Sequence, residues 1–264
     1  MRVVRFAAEG GPRYGVLEGT EVAVIEPHPF AAHDRTGETV SLEGLRLLAP
    51  VIPSKVVCVG RNYAEHAAEL GNEAPSEPLL FLKPSSSVIG PGEEIRYPTG
   101  LTREVHHEAE LAIVIGGIVQ RAGRADAAKG IYGFTCANDV TARDLQRTED
   151  QWTRAKGFDT FCPLGPAIAT DVDPSDLRVR CLVDGEVRQD GSTADMVFDV
   201  VELVSYISQV MTLLPSDVIL TGTPAGVGAI EPGQTVRVEI DGIGALENPV
   251  VARDRASGDD REAE

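Results

Sequence analysis

HHEAELAIVIG, residues 106–116, is the stretch whose reading decides the fold. Leu111 to Ile115 is an unbroken apolar run ending in glycine, the pattern of a strand buried on both faces. Glu108 and Glu110 stand at its entrance. A strand alternates faces with period two, so these side chains point the same way. Two carboxylates that close together at the edge of a core repel each other and lose hydration. Either they face water, or a cation neutralises them.

Outward from this strand the chain is rich in short apolar runs punctuated by glycine and proline. RVVRFAA, YGVLEG and EVAVIEP give residues 1–50 the texture of a small β-rich module, with the polar stretch 27–44 reading as loop. Residues 51–252 form a second region. It opens with KVVCVG, a buried strand, followed by RNYAEHAAELG, which has helical character and a glycine stop. PLLFLKP and YGFTCAND read as strands, RADAAKGI as a helix, and Thr141 to about Trp152 as a polar helix. Asp184-Gly185 is a hairpin signal, and FDVVELVSYISQVMTL carries apolar residues at helical spacing. Residues 253–264 form a charged tail that composition predicts to be disordered. The expectation is a β-dominated α+β fold with helices as connections.

The chain has 264 residues, 42% of them hydrophobic, enough for a sizeable core. No apolar stretch reaches the ~18–20 residues of a membrane-spanning helix, and the N-terminal apolar segment is too short for a signal peptide. Cys58, Cys136, Cys162 and Cys181 lack C-x-x-C spacing and read as reduced core thiols of a cytoplasmic protein. The formal net charge of −17 comes without a basic stripe, which argues against nucleic acid as a partner. So acidic a chain also repels small anions at long range; a site for an anion must supply its own positive charge.

The Glu108–Glu110 pair allows two readings, a solvated strand end or a ligand set for a hard cation such as Mg²⁺ or Mn²⁺. Asp139 ends an apolar run and is a third carboxylate or, equally, a helix N-cap. Arg143 and Gln146 follow it at +4 and +7, on one helical face, which would bring Gln146 to the rim of the same site. His66 and Glu69 are three apart, the spacing of a general base with its orienting carboxylate or of an ordinary surface contact. His106 and His107 read as structural, since a hard cation prefers oxygen. Lys83 and Lys156 lie near apolar strands and carry little weight singly. The glycines of TGTPAGVG, 221–228, match no dinucleotide fingerprint and fit a tight turn.

Taken together and in order, KVVCVGRNYAEHAAE, FLKP, HHEAELAIVIG, NDVTARDLQ, WTRAKGFDTFCPLGP, DGEVRQDG, VMTLLPSDVILTGTPAGVG and IDGIGALENPVV resemble the fumarylacetoacetate hydrolase family over about residues 50–252. The resemblance implies a mixed β-sandwich-like roll, a homodimer, and one Mg²⁺ or Mn²⁺ per chain on Glu108, Glu110 and Asp139. It implies a water-activating dyad at His66 and Glu69, and substrate-binding and oxyanion-stabilising roles for Gln146 and Lys156. Arg61 and Asn62 resemble the loop whose backbone approaches the substrate carboxylate, and Thr223 a further contact to it. Three carboxylates and a dication sum to −1, and Lys156 brings such a site near neutral. The implied reaction is cleavage of a C–C bond in a β-dicarbonyl 2-oxo acid, as by acylpyruvate hydrolases. The alternatives are oxaloacetate decarboxylation and the isomerase or decarboxylase steps of aromatic catabolism acting on 2-hydroxyhepta-2,4-diene-1,7-dioate or 5-oxopent-3-ene-1,2,5-tricarboxylate. A protein that holds a metal without turnover is the non-enzymatic alternative.

Overall fold

The computed structural model describes residues 1–69, 71, 73 and 75–253; the acidic tail beyond Arg253 lies outside the described residues. The described residues are strand-dominated and form three sheets. The largest runs, in spatial order, through Asp34–Ser41, Glu21–Glu26, Gly11–Glu18, Arg2–Ala8, Cys162–Ala169, Ile131–Asn138, Ala109–Ile115, Val218–Leu220, Val56–Gly60 and Leu79–Lys83. The N-terminal strands therefore continue the sheet of the second region, through the pairing of Arg2 and Val3 with Ala169 and Ile168. A five-stranded sheet contains Glu186–Ser192, Arg178–Val183, Thr235–Ile240, Gly244–Arg253 and Ile95–Pro98.

The strand Ala109–Ile115 is buried at every position. Leu111, Ile113 and Ile115 pack in one core with Val179, Val236, Val238 and Leu246 of the five-stranded sheet. Ala112 and Val114 face the other way, into a second core with Ile168, Val218 and Leu220. Both faces are covered, which is why the sequence shows a continuous apolar run there. The helix Val200–Val210 caps the first core, with Asp199 accepting the Glu202 N–H as its N-cap.

Asp184 and Gly185 both adopt positive φ, +51° and +82°, and close the hairpin between Arg178–Val183 and Glu186–Ser192. Two expectations are corrected. The stretch read as loop contains the strand Asp34–Ser41, paired with Glu21–Glu26. It is an exposed edge strand without apolar alternation, so only its neighbour's backbone groups specify it. The polar helix from Thr141 is two short helices, Arg143–Thr148 and Thr153–Lys156, preceded by a strand at Thr141–Ala142. All four cysteines are buried and free. Among the described residues, no helix is long and apolar enough to cross a membrane.

Candidate active site

Sheet register brings the carboxylates together. Ala109 pairs with Asn138 and Glu110 with Ala137, so Glu108 and Asp139 leave the same end of the ladder side by side. The Asp139 N–H donates to the Glu108 carbonyl at 2.9 Å, and the Glu108 N–H donates to Asn138 Oδ1 at 3.0 Å. One carboxylate oxygen from each of Glu108, Glu110 and Asp139 lies within 4.8 Å of the others, and all three residues are buried. Asp139 is no N-cap: that position before Arg143–Thr148 belongs to Ala142.

Val56–Gly60 runs parallel to Val218–Leu220, so the segments leaving both strands enter the same region. Asn62 stitches them together. Its amide donates to the carbonyls of Phe198 and Thr221, and its Oδ1 accepts the Phe198 N–H. Gly222 then turns at φ +96° and donates its N–H to Glu110 Oε2 at 2.7 Å. A Cβ at Gly222 would come within 2.9 Å of the Asn62 Cβ, so both conformation and space require glycine.

Among the described residues, three buried cations surround the carboxylates. Lys156 Nζ lies 2.8 Å from Glu108 Oε2 and 2.7 Å from Asp139 Oδ2. Lys83 Nζ lies 2.5 Å from Asp139 Oδ1, and Arg143 Nη2 2.5 Å from Glu108 Oε1. Burial opposes ionisation of Glu108, but Lys156 and Arg143 outweigh it and hold its pKa far below the ordinary carboxylate value. Glu110 behaves oppositely: burial, with Asp139 and Glu108 beside it, pushes its pKa well above that value. Lys156 is pulled down by burial, yet Asp139 and Glu108 leave its pKa raised, so it stays an ammonium. Neighbouring carboxyl groups driven in opposite directions, at a cavity, make this cluster a candidate functional site.

These donors fit a hard cation. They are all oxygen, they converge, and Glu110 accepts only the Gly222 N–H among the described residues, so a cation would supply the partner its ionised form needs.

A cavity of about 320 Å³ opens onto the cluster. His66 lines it, 5% exposed, with Nδ1 3.2 Å from Glu69 Oε2. With the hydrogen on Nδ1, the tautomer that a facing carboxylate favours, Nε2 is left as the acceptor nitrogen. Glu69 also accepts the Gly226 N–H at 3.1 Å, fixing the helix Ala64–Glu69 against the glycine loop. Gln146 lines the cavity through a hydrogen bond from Arg143 to its Oε1. Val59, Phe81 and Trp152 form an apolar wall, the two aromatic rings meeting edge to face at 5.3 Å.

Of the residues singled out in the sequence, Glu108, Glu110, Asp139, His66, Gln146, Lys156, Arg61 and Thr223 meet at this cavity. Glu69 stands behind His66. Asn62 is fully buried behind the wall, and its side chain is spent on backbone groups. The Thr223 hydroxyl is likewise committed, donating to the Ala109 carbonyl and accepting from Gln189 Nε2.

Lys83, Arg143 and Gln189 were assigned no role from sequence. Lys83 had a signal, a lone lysine closing the apolar run PLLFLK. Gln189 had none. Its Oε1 accepts the Ala109 N–H at 2.9 Å and contacts His107 Nδ1 at 3.0 Å, while its Nε2 also donates to the Pro224 carbonyl. It thus ties the strand bearing Glu110 to the glycine loop. His107 is structural: burial pushes its pKa down to about 4, and its Nε2 has no partner.

Known proteins resemble this chain over nearly its whole length. The family model for the C-terminal domain of fumarylacetoacetate hydrolase matches residues 55–251, and one described as Rv2993c-like, N-terminal, matches residues 1–50. Protein Rv2993c of Mycobacterium tuberculosis is 49% identical over 263 residues, 96% of this chain and 99% of that protein. The mitochondrial oxaloacetate tautomerase fahd2 of Xenopus laevis is 44% identical, over 84% of this chain and 73% of its own length. Among solved structures, 5-carboxymethyl-2-hydroxymuconate delta-isomerase from Mycobacterium smegmatis superposes with a TM-score of 0.90 at 49% identity, covering 96% of this chain and all of that one.

Proposed function

The chain belongs to the fumarylacetoacetate hydrolase family, and from that premise we propose that it enolises a 2-oxo acid bearing a second carbonyl group, with one Mg²⁺ or Mn²⁺ held by Glu108, Glu110 and Asp139. The observation that carries this reading is the charge of the site. Glu108, Glu110 and Asp139 contribute three negative charges when ionised, and Lys83, Lys156 and Arg143 three positive ones. A dication then leaves an excess of two positive charges. The near-neutral count expected from Lys156 alone is superseded by the two further cations. An enolised 2-oxo acid carries two negative charges, one on the carboxylate and one on the enolate oxygen, whereas its keto form carries one. The site therefore favours the state in which charge has developed.

A divalent cation at these carboxylates supplies Lewis-acid stabilisation for the oxygens of a 2-oxo acid. The remaining work falls to the chain. His66 Nε2 takes a proton from the carbon between the two carbonyls, and Glu69 stabilises the imidazolium that results. The same proton returned elsewhere gives a tautomer or an isomer. Lys156 and Arg143, fixed by Glu108 and Asp139, hold positive charge beside the developing anion. Gln146, its oxygen occupied by Arg143, keeps its NH₂ free to orient the substrate carboxylate.

Hydrolytic C–C cleavage is the second reading, favoured by the His66–Glu69 dyad. His66 would then take the proton from water, hydroxide would add to the distal carbonyl, and the bond to the central carbon would break with release of the pyruvate enolate. Assays of the Mg²⁺- and Mn²⁺-loaded protein on oxaloacetate, acetylpyruvate and 2-hydroxyhepta-2,4-diene-1,7-dioate separate the two. Conversion between enol and keto forms without new fragments supports enolisation, and pyruvate plus a carboxylic acid supports hydrolysis. Turnover of none of the three would sink both.

A further inference from the structure

Each carboxylate of the cluster has one oxygen already taken. Lys83 Nζ donates to Asp139 Oδ1 at 2.5 Å, Arg143 Nη2 to Glu108 Oε1 at 2.5 Å, and the Gly222 N–H to Glu110 Oε2 at 2.7 Å. Each donor is held from elsewhere. Lys83, fully buried, ends the strand Leu79–Lys83 opposite Val56 and also donates to the Val140 carbonyl at 3.1 Å. Arg143 is tied to Gln146, and Gly222 is wedged against Asn62. Asp139 is fixed through its backbone as well: its N–H donates to the Glu108 carbonyl at 2.9 Å, and its carbonyl accepts from Thr141 Oγ1 at 2.8 Å. The oxygens left over are Glu108 Oε2, Glu110 Oε1 and Asp139 Oδ2. Lys156 Nζ sits between the first and the last, at 2.8 and 2.7 Å, and Glu110 Oε1 has no hydrogen-bond partner among the described residues.

We propose that Lys83 is a positioning residue that keeps Asp139 Oδ1 out of ligation. With Arg143 and the Gly222 N–H it limits the three carboxylates to one ligand oxygen each, so that the site selects against a larger cation such as Ca²⁺. This rests on the reading of the cluster as a metal site and deepens it. Ca²⁺ takes roughly six to eight oxygens and often both oxygens of one carboxylate, whereas Mg²⁺ demands a near-ideal octahedron. Asp139 cannot turn Oδ1 to a cation without leaving the Lys83 ammonium unpaired in the core, which is costly. Three capped carboxylates supply half of an octahedral shell and leave a larger shell underfilled. The two lysines on Asp139 therefore differ in duty. Lys156 contacts the uncapped oxygens and must give way to a cation; Lys83 need not.

Calorimetric titration of the full chain with MgCl₂ and with CaCl₂ gives the ratio of the two affinities. The wild type should bind Mg²⁺ at least as tightly as Ca²⁺. Lys83→Met removes a positive charge and so strengthens the attraction for both ions, but their charges are equal and the ratio reports the oxygens on offer. That ratio should move toward Ca²⁺ by about tenfold or more, the scale on which outer-shell partners affect metal binding. Lys156→Met removes the same charge from the same carboxylates without uncapping an oxygen, and its ratio should stay within about twofold of the wild type. Arg143→Met uncaps Glu108 Oε1 and should shift the ratio as Lys83→Met does; it decides the matter if Lys83→Met does not fold. In Mn²⁺-loaded Lys83→Met, water-proton relaxation should report fewer bound waters than in the wild type, because the second Asp139 oxygen enters the shell. Tighter Ca²⁺ than Mg²⁺ binding in the wild type, a ratio unmoved by uncapping, or an equal shift in Lys156→Met would overturn the inference. Binding of neither ion by the wild type would strike the metal site itself.

Discussion

The Glu69 carboxylate accepts the Gly226 backbone N–H at 3.1 Å while its other oxygen lies 3.2 Å from His66 Nδ1. One side chain thus orients the candidate base and docks its helix on the glycine loop, whose Gly222 holds Glu110.

The first prediction separates these duties. His66→Ala should lower kcat by about 10²–10⁴-fold, the loss expected for a general base. Glu69→Gln can still accept the Gly226 N–H but no longer stabilises an imidazolium, so its kcat should fall less, with Mg²⁺ affinity unchanged. Steady-state rates and metal titration on both variants check this. Undiminished kcat in His66→Ala would remove His66 from the chemistry.

Glu110 sets the pH dependence of metal uptake. Its folded-state pKa is raised, by burial first and then by Asp139 and Glu108. The metal-free fold therefore binds a proton here more tightly than the unfolded chain does. This favours the folded state at low pH, and the contribution is lost as pH rises through the raised value. A cation must displace that proton, so Mg²⁺ or Mn²⁺ affinity should increase with pH above the ordinary carboxylate range of about 4. The rise in Tm on adding metal should grow in step. Glu110→Gln should weaken binding and flatten this pH profile. Calorimetry in buffers of different ionisation enthalpy would detect the released proton, and no proton release would contradict the argument.

Lys156 tests charge against ligation. Lys156→Met removes a cation that bridges Glu108 and Asp139. Metal affinity should hold or rise, because the carboxylates lose a competitor. With charge stabilisation gone, kcat should drop by roughly 10²-fold or more. Loss of metal together with activity would mean that Lys156 mainly preserves the geometry of the carboxylates.

Gln189 makes a prediction about stability. Gln189→Leu strips partners from the Ala109 N–H, the Pro224 carbonyl, Thr223 Oγ1 and His107 Nδ1, all in a buried setting. A loss of about 3 kcal/mol is expected, read as a lower urea midpoint, since each buried group left unsatisfied costs about 1–3 kcal/mol and such costs do not simply add. A change under about 0.5 kcal/mol would show that water replaces the lost partners.

Much of this protein is written locally. The apolar run after Glu110, the Asp184-Gly185 turn and the apolar spacing of Val200–Val210 specify a strand, a hairpin and a helix, because each depends on neighbours a few residues away. The ordered segments from KVVCVG to ENPVV carried the family and the carboxylate triad. What sequence left open was whether Glu108 and Glu110 face water or a cation. Tertiary structure brought Lys83, Arg143 and Lys156 to the triad from 25, 35 and 48 residues away from Glu108, and Gln189 to Ala109 across 80. It also put Gln146 at the cavity by a route other than a shared helix with Asp139, and turned Asn62 into a backbone staple. Those outcomes follow from strand register and parallel pairing between distant segments. A buried charge is stable only where such pairing delivers its partner, and no local pattern encodes that delivery.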